Sequence, residues 1–139
     1  MSGYGHQQAE AYGAGACALG CSNWFTPYYF SDRLPIAMSA GRAVVHYRGE
    51  GFDQVFGEHP GVFWYTDLEG AWRQVRRVLD DPDSAAAGAA RACELAVGRF
   101  TTYDTVAYMV EVLQAHAAAR QRNAAVAPVG NPWIRRAVL

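Results

Sequence analysis

Arg33, His46 and Glu50 fall close together in "FSDRLPIAMSAGRAVVHYRGEG", residues 30–51, and each suits the handling of a phosphorylated ligand. A guanidinium pairs with phosphate, an imidazole makes polar contacts near neutral pH, and a carboxylate accepts hydroxyl protons. Arg33 falls in the first turn of a helix, where the positive end of the dipole slightly disfavours a cation. Two readings account for it equally: a bound anion that compensates, or a surface ion pair with Asp32, Glu50 or Asp53. His46 follows an apolar run and reads first as a hydrogen-bonded core histidine, second as a substrate contact. Glu50, between Gly49 and Gly51, is the best exposed carboxylate of the group. Upstream, Trp24, Phe25, Tyr28, Tyr29 and Phe30 have the flat faces to stack on a nucleobase, although such clusters beside a sheet belong more often to the core.

Local signals place these residues on a framework. "ACALGCSN" reads as a brief buried strand that runs into the aromatic loop "WFTPYYF", after a Gly-rich opening with a short helix around 7–12. Ser31 and Asp32 are good N-caps for a helix that carries Leu34, Ala37 and Met38 and stops at Gly41. "AVVHY" is a continuous apolar run with adjacent β-branched residues, as in a strand covered on both faces. "GEGFDQVF" is a turn opening a short helix, and "GVFWY" is a third strand. Thr66 and Glu69 have capping-box spacing, and Leu68, Trp72, Val75, Val78 and Leu79 trace the expected buried face of the helix before Pro82. Pro82 opens a helix of small residues. Thr101 or Thr102 caps a last helix with Val106, Met109, Val110 and Leu113 on its expected buried side.

Short strands alternating with helices imply an α/β fold: a partial Rossmann-like parallel sheet of three or four strands flanked by helices. Ligands of such sheets bind beyond the carboxyl ends of the strands. Here that rim is "SNWFTPYYFSDR" and "HYRGEG", both leading into helix N-termini whose free amides favour anions. The expected organisation is a leader or short helix over 1–15, the α/β domain over 16–121, and a mobile or docking tail over 122–139.

The totals narrow the classes. With 139 residues, 51% hydrophobic and 18% charged, the chain is one globular domain with a core of its own. A net charge of −1 leaves no basic field for nucleic acid. Three cysteines (Cys17, Cys21 and Cys93) without a secretory signal indicate reduced, small buried thiols in a cytoplasmic protein. The spacing of Cys17 and Cys21 is not that of a zinc knuckle, and no apolar run is long enough to span a membrane.

Taken in order, "SDRLPIAMSAGRAVVHYRGEGFDQVF", "DLEGAWRQVRRVLDDPD" and "RFTTYDTVAYMVEVL" resemble the C-terminal part of group 1 glycosyltransferases, closest in style to the spore-maturation branch. The likeness runs over residues 16–113. It implies the donor-side domain of a GT-B enzyme, in which two Rossmann-like domains face a cleft. The donor is then a nucleotide-diphosphate sugar, and no separate cofactor is implied. Arg33 would lie near the phosphates, the Ser31–Gly41 segment beside the donor, and the "HYRGEG" loop toward the sugar or acceptor. The candidate binding set is Tyr29, Ser31, Asp32, Arg33, His46, Gly49 and Glu50. Arg48 is a weaker candidate, and neither a catalytic residue nor a metal site is assigned.

Two departures accompany the resemblance. The positions of the family's paired glutamates correspond to Tyr28 and Ile36, and isoleucine cannot accept a ribose hydroxyl. The acceptor-side domain has no counterpart in these residues, so the chain is expected to need a partner N-terminal domain or to form a homo-oligomer. The alternative is a non-catalytic module of the same fold that acts by protein pairing.

Overall fold

The apolar run Ala43–Tyr47 becomes the central strand of a three-stranded parallel sheet. β-Branched Val44 and Val45 lie one on each face, which suits a strand covered on both sides. The structure, a computed structural model, describes residues 4–23, 26–58 and 60–121. Along the chain the elements are α1 (Tyr4–Ala14), β1 (Cys17–Gly20), α2 (Arg33–Ser39), β2 (Ala43–Tyr47), α3 (Phe52–Phe56), β3 (Val62–Tyr65), α4 (Leu68–Asp80), α5 (Pro82–Arg99) and α6 (Thr102–Gln121). The sheet order is β1-β2-β3, with Cys17 beside Ala43, Gly20 beside His46, and His46 beside Trp64.

Alternation along β2 separates two apolar cores. Val44 packs on one face with Ala18, Leu34, Met38, Phe52, Val55, Phe56 and Val62, beneath α2 and α3. Ala43 and Val45 pack on the other with Phe63, Val78 and Ala85, beneath α4. The small-residue helix α5 joins them: Ala85 belongs to the second core, and Ala92 and Ala96 to the first. Gly61 permits this passage. Its φ of +81° suits glycine, and a Cβ there would overlap the carbonyl oxygen of Gly88 and meet the amide nitrogen of Ala92 at 2.8 Å.

Caps fix the helix starts. The Asp67 carboxylate accepts from the Gly70 amide at 2.6 Å and opens α4, so the cap falls one residue later than the Thr66–Glu69 spacing suggests. Asp81 caps α5 through the Ser84 amide at 3.0 Å, with Pro82 in the first turn. Thr101 and Asp104 bond reciprocally at the start of α6, resolving the choice between Thr101 and Thr102.

Two helix faces expected to be buried are open. On α4, Val78 is buried and Val75 half-buried, but Leu68 is 87% and Trp72 72% exposed, and Leu79 is exposed as well. On α6, Val106, Met109, Val110 and Leu113 are all exposed. Periodicity shows that an apolar stripe exists; only the neighbouring elements decide whether something covers it. Cys21 is also exposed rather than buried, and Cys17 and Cys93 are half-buried. The expected tail over 122–139 lies outside the described residues. Among the described residues, no helix is long and apolar enough to cross a membrane.

The Gly61–Gly88 contact gives a paired test. Gly61→Ala is expected to destabilise the fold by about 3 kcal/mol in urea titration, from left-handed strain and a forced shift of α5. Gly98→Ala, with no neighbour within 4 Å of the added carbon, is expected to stabilise it by about 0.5–1 kcal/mol. Equal effects at both positions would remove Gly61 as the point on which α5 turns.

Candidate functional site

The two rim segments meet at the carboxyl ends of the strands. The Tyr28 amide donates to the Glu50 carbonyl at 2.8 Å, and the Tyr28 hydroxyl donates to Gln54 Oε1 at 3.2 Å. Gly51, with φ of +79°, lies under the Tyr28 ring, where a Cβ would collide with the ring edge. Tyr28 itself is held at φ of +62°, an uncommon region for a non-glycine residue. One step further, Phe30 enters the aromatic cluster of Phe52, Phe56 and Phe100, with ring centroids 6.3, 5.0 and 5.5 Å away.

Arg33 and His46 share a cavity of about 390 Å³ on the α2 side of β1. Gly20, Cys21, Asn23 and Tyr65 also line it, with Tyr12 and Leu34 among its apolar walls. Its size is that of a small-molecule site. A larger cavity of about 820 Å³ lies at the opposite end of the strands, between α4 and α5, but alanines dominate its wall and few polar groups converge there. The smaller cavity is therefore the candidate site.

Its polar groups have definite roles. His46 is buried, and its Nδ1 lies 2.8 Å from the Tyr47 carbonyl oxygen. A carbonyl only accepts, so Nδ1 carries the proton and Nε2 of the neutral ring is the free acceptor. Burial pushes the His46 pKa below its ordinary value near 6.5, and the bond to Tyr47 opposes this only in part. Gly20 leaves room beside the ring; a Cβ there would stand 2.9 Å from Cδ2 of His46. Burial likewise raises the pKa of the Tyr65 hydroxyl, which donates to the Gly20 carbonyl at 2.9 Å. Arg33 is exposed at the cavity mouth and has no carboxylate partner among the described residues. Ser22 lies between Cys21 and Asn23, is buried, and its hydroxyl has no hydrogen-bond partner among the described residues.

Of the seven candidate residues, the cavity gathers two, Arg33 and His46. Ser31 is buried, and its hydroxyl bonds Asp32 at 3.0 Å. Tyr29 is half-buried, with its amide on the Thr26 carbonyl. Gly49 sits over the Phe52 ring, and Glu50 contributes its carbonyl, not its side chain, to the rim. Arg48 is exposed and outside the cavity lining. Helix N-termini contribute less than their positions suggest. The Arg33 and Leu34 amides already donate to Ser31, and the Phe52 and Gln54 amides to Gly49 and Gly51. The anion-directed group is the guanidinium. Trp24 and Phe25 lie outside the described residues, while Phe30 is core and Tyr28 lies on the rim.

Sequence reasoning missed Tyr65 and Gly20, and placed Asn23 on the rim without singling it out. The parallel register carries their signal, because Gly20 is the partner of His46 across β1 and β2. Among the described residues no group of three or more His, Cys, Asp or Glu side chains could hold a metal ion.

A parallel sheet flanked by helices, with its cavity at the carboxyl ends of the strands, belongs to the Rossmann-like α/β class. Within that class the chain belongs to the glycosyl transferase-like family, whose family model matches residues 3–111. No curated protein and no solved structure matches the chain. Family membership supports a role of the glycosyltransferase type.

His46 should also mark its burial in the pH dependence of stability. Below pH 6.5 the unfolded chain takes up a proton that the folded imidazole resists, so stability falls as pH drops through that value. Above it, the contribution vanishes. Urea titrations at about pH 7.5 and 5.5 should show a smaller difference for His46→Gln than for the wild type. Identical differences would mean that the ring accepts its proton freely in the fold.

Proposed function

We propose that this chain is the donor-side part of a nucleotide-sugar-dependent glycosyltransferase of GT-B architecture. The cavity beside β1 takes the diphosphate of the donor, and a separate domain supplies the acceptor side. One observation carries this reading: in a chain of the glycosyl transferase-like family, an arginine with no carboxylate partner among the described residues stands at the mouth of a ligand-sized cavity.

The chemistry follows from the groups available. Transfer breaks the bond between the anomeric carbon and the diphosphate oxygen, and the electron pair stays on the leaving diphosphate. The acceptor oxygen forms the new bond and gives its proton to a base on the acceptor side. Within this chain, Arg33 stabilises the charge that develops on the diphosphate, which is the electrostatic part of the catalysis. Neutral His46 accepts a hydroxyl proton from the ribose or sugar through Nε2. The Asn23 side chain at the cavity wall offers a further polar contact. Ile36, half-buried on α2, cannot hold the ribose as a carboxylate would, so His46 is the better ribose contact in this chain.

The test is titration with uridine, guanosine and thymidine diphosphates, followed by thermal and chemical denaturation. A bound nucleotide at a hundred times its dissociation constant should stabilise the fold by about 2.7 kcal/mol. Loss of the charge-assisted contacts in Arg33→Ala should weaken binding by about tenfold or more. No shift with any nucleotide would end the reading, and an undiminished affinity in Arg33→Ala would remove Arg33 from it.

A further inference from the structure

The two edges of the sheet are built differently. Beside β3, Pro60 precedes the strand, and Arg77 and Arg91 line a small cavity along it with Gln74 and Ser84. The Arg77 guanidinium lies 5.6 Å from the Phe63 ring centroid. Cations and proline are devices that keep an edge strand from pairing, and two arginines also repel the same edge of another copy. β1 carries none of these. From Ala16 to Cys21 the chain has neither charge nor proline, and Leu19 is 59% exposed on the side facing α4.

Next to that bare edge lies the open stripe of α4. Leu68, Trp72, Val75 and Leu79 recur at spacings of four, three and four, the narrow seam that helices present to a partner helix. Leu19, Cys17, Leu68 and Trp72 line an apolar groove of about 750 Å³ between β1 and α4. The groove's one charged residue, Glu69, is paired with Arg73 of the same helix at 2.7 Å. A two-fold interface brings each patch against its own copy, so a patch with net charge would repel itself. This one has no unpaired charge.

We infer that β1 and the α4 stripe form the interface of a homodimer. Two β1 strands pair antiparallel about a two-fold axis, joining two three-stranded sheets into one of six strands. The two α4 helices lie on the same face of that sheet and fill the groove with Trp72 and Leu68 from each copy. Backbone pairing satisfies the open N–H and C=O groups of β1, and the aromatic and leucine side chains leave water. The surface adjoins the diphosphate cavity along β1, with Leu19 lining both, while Arg33 and His46 lie on the α2 side of the sheet and Leu68 and Trp72 on the α4 side.

Sedimentation velocity over a dilution series of the full chain should show a species of twice the chain mass. Trp72→Glu and Leu68→Glu, at exposed positions outside both cores, should each weaken it at least about tenfold, as expected for loss of an anchoring side chain. The β1 amides from Cys17 to Gly20 should gain hydrogen-exchange protection as the dimer forms. A wild-type chain that stays monomeric throughout would overturn the inference. So would a dimer undiminished in both variants, or β1 protection that does not change with dilution, a measurement that decides even if a variant fails to fold. A nucleotide-induced shift retained in monomeric Trp72→Glu would show that the surface and the donor site are separate. Nucleotide binding by a strictly monomeric wild type would remove the dimer alone.

Discussion

The rim of this protein depends on the aromatic cluster around Phe52. That ring is fully buried on α3, and Phe30, Phe56 and Trp64 meet it with centroids 5.4–6.3 Å away. Phe30 arrives from the loop after β1, Phe52 and Phe56 from the helix after β2, and Trp64 from β3. The cluster thus ties together three segments that the chain places far apart. His46 meets both Phe52 and Trp64, so the same packing that closes the core also fixes the imidazole under Gly20. Buried aromatic pairs contribute area and geometry together, which suits a short sheet with little other means of holding its rim.

A second constraint operates at the other end of the strands. α5 passes from one face of the sheet to the other, and the close approach of Gly61 to Gly88 sets how near it comes. The alanines of α5 then enter both cores. Small residues are poor sources of buried area but good spacers, so α5 brings the backbone close and leaves the larger side chains of α2 and α3 to fill the volume. The carboxyl end is left free for polar groups: a neutral imidazole, a phenol bonded to backbone, and a serine hydroxyl and a guanidinium that have no partner side chain among the described residues. Packing at one end and polarity at the other divide the molecule into a close-packed end and a polar end, the latter at the carboxyl ends of the strands, where parallel α/β folds bind their ligands.

Much of this was legible in the residues alone. The β-branched pair Val44–Val45, the alternation of short strands with helices, and Pro82 at a helix start identify the parallel α/β architecture because each acts over a few neighbouring residues. Arg33 and His46 could be singled out for the same reason, one by its place in a first helical turn and the other by the end of an apolar run. The resemblance to glycosyltransferases rested on the order of such local signals, and the family match over residues 3–111 agrees with it.

Other features depend on neighbours distant in the chain. Leu68 and Trp72 have the spacing of a buried stripe, yet no described element covers them, since coverage depends on what lies across a gap and not on period. The amides at the start of α2 look available in sequence, but Ser31 folds back and takes them. Ser31, Asp32 and Glu50 have suitable chemistry and lie close in sequence to the site, while Gly20 and Tyr65 enter it through strand register. The sequence by itself determined the strands, the helix starts and the presence of a cation and an imidazole near one rim, because propensity and capping are short-range. Tertiary structure alone decided that those two groups share a cavity and that, among the described residues, β1 is an edge strand, because cavities and edges are made by segments that meet from far apart in the chain.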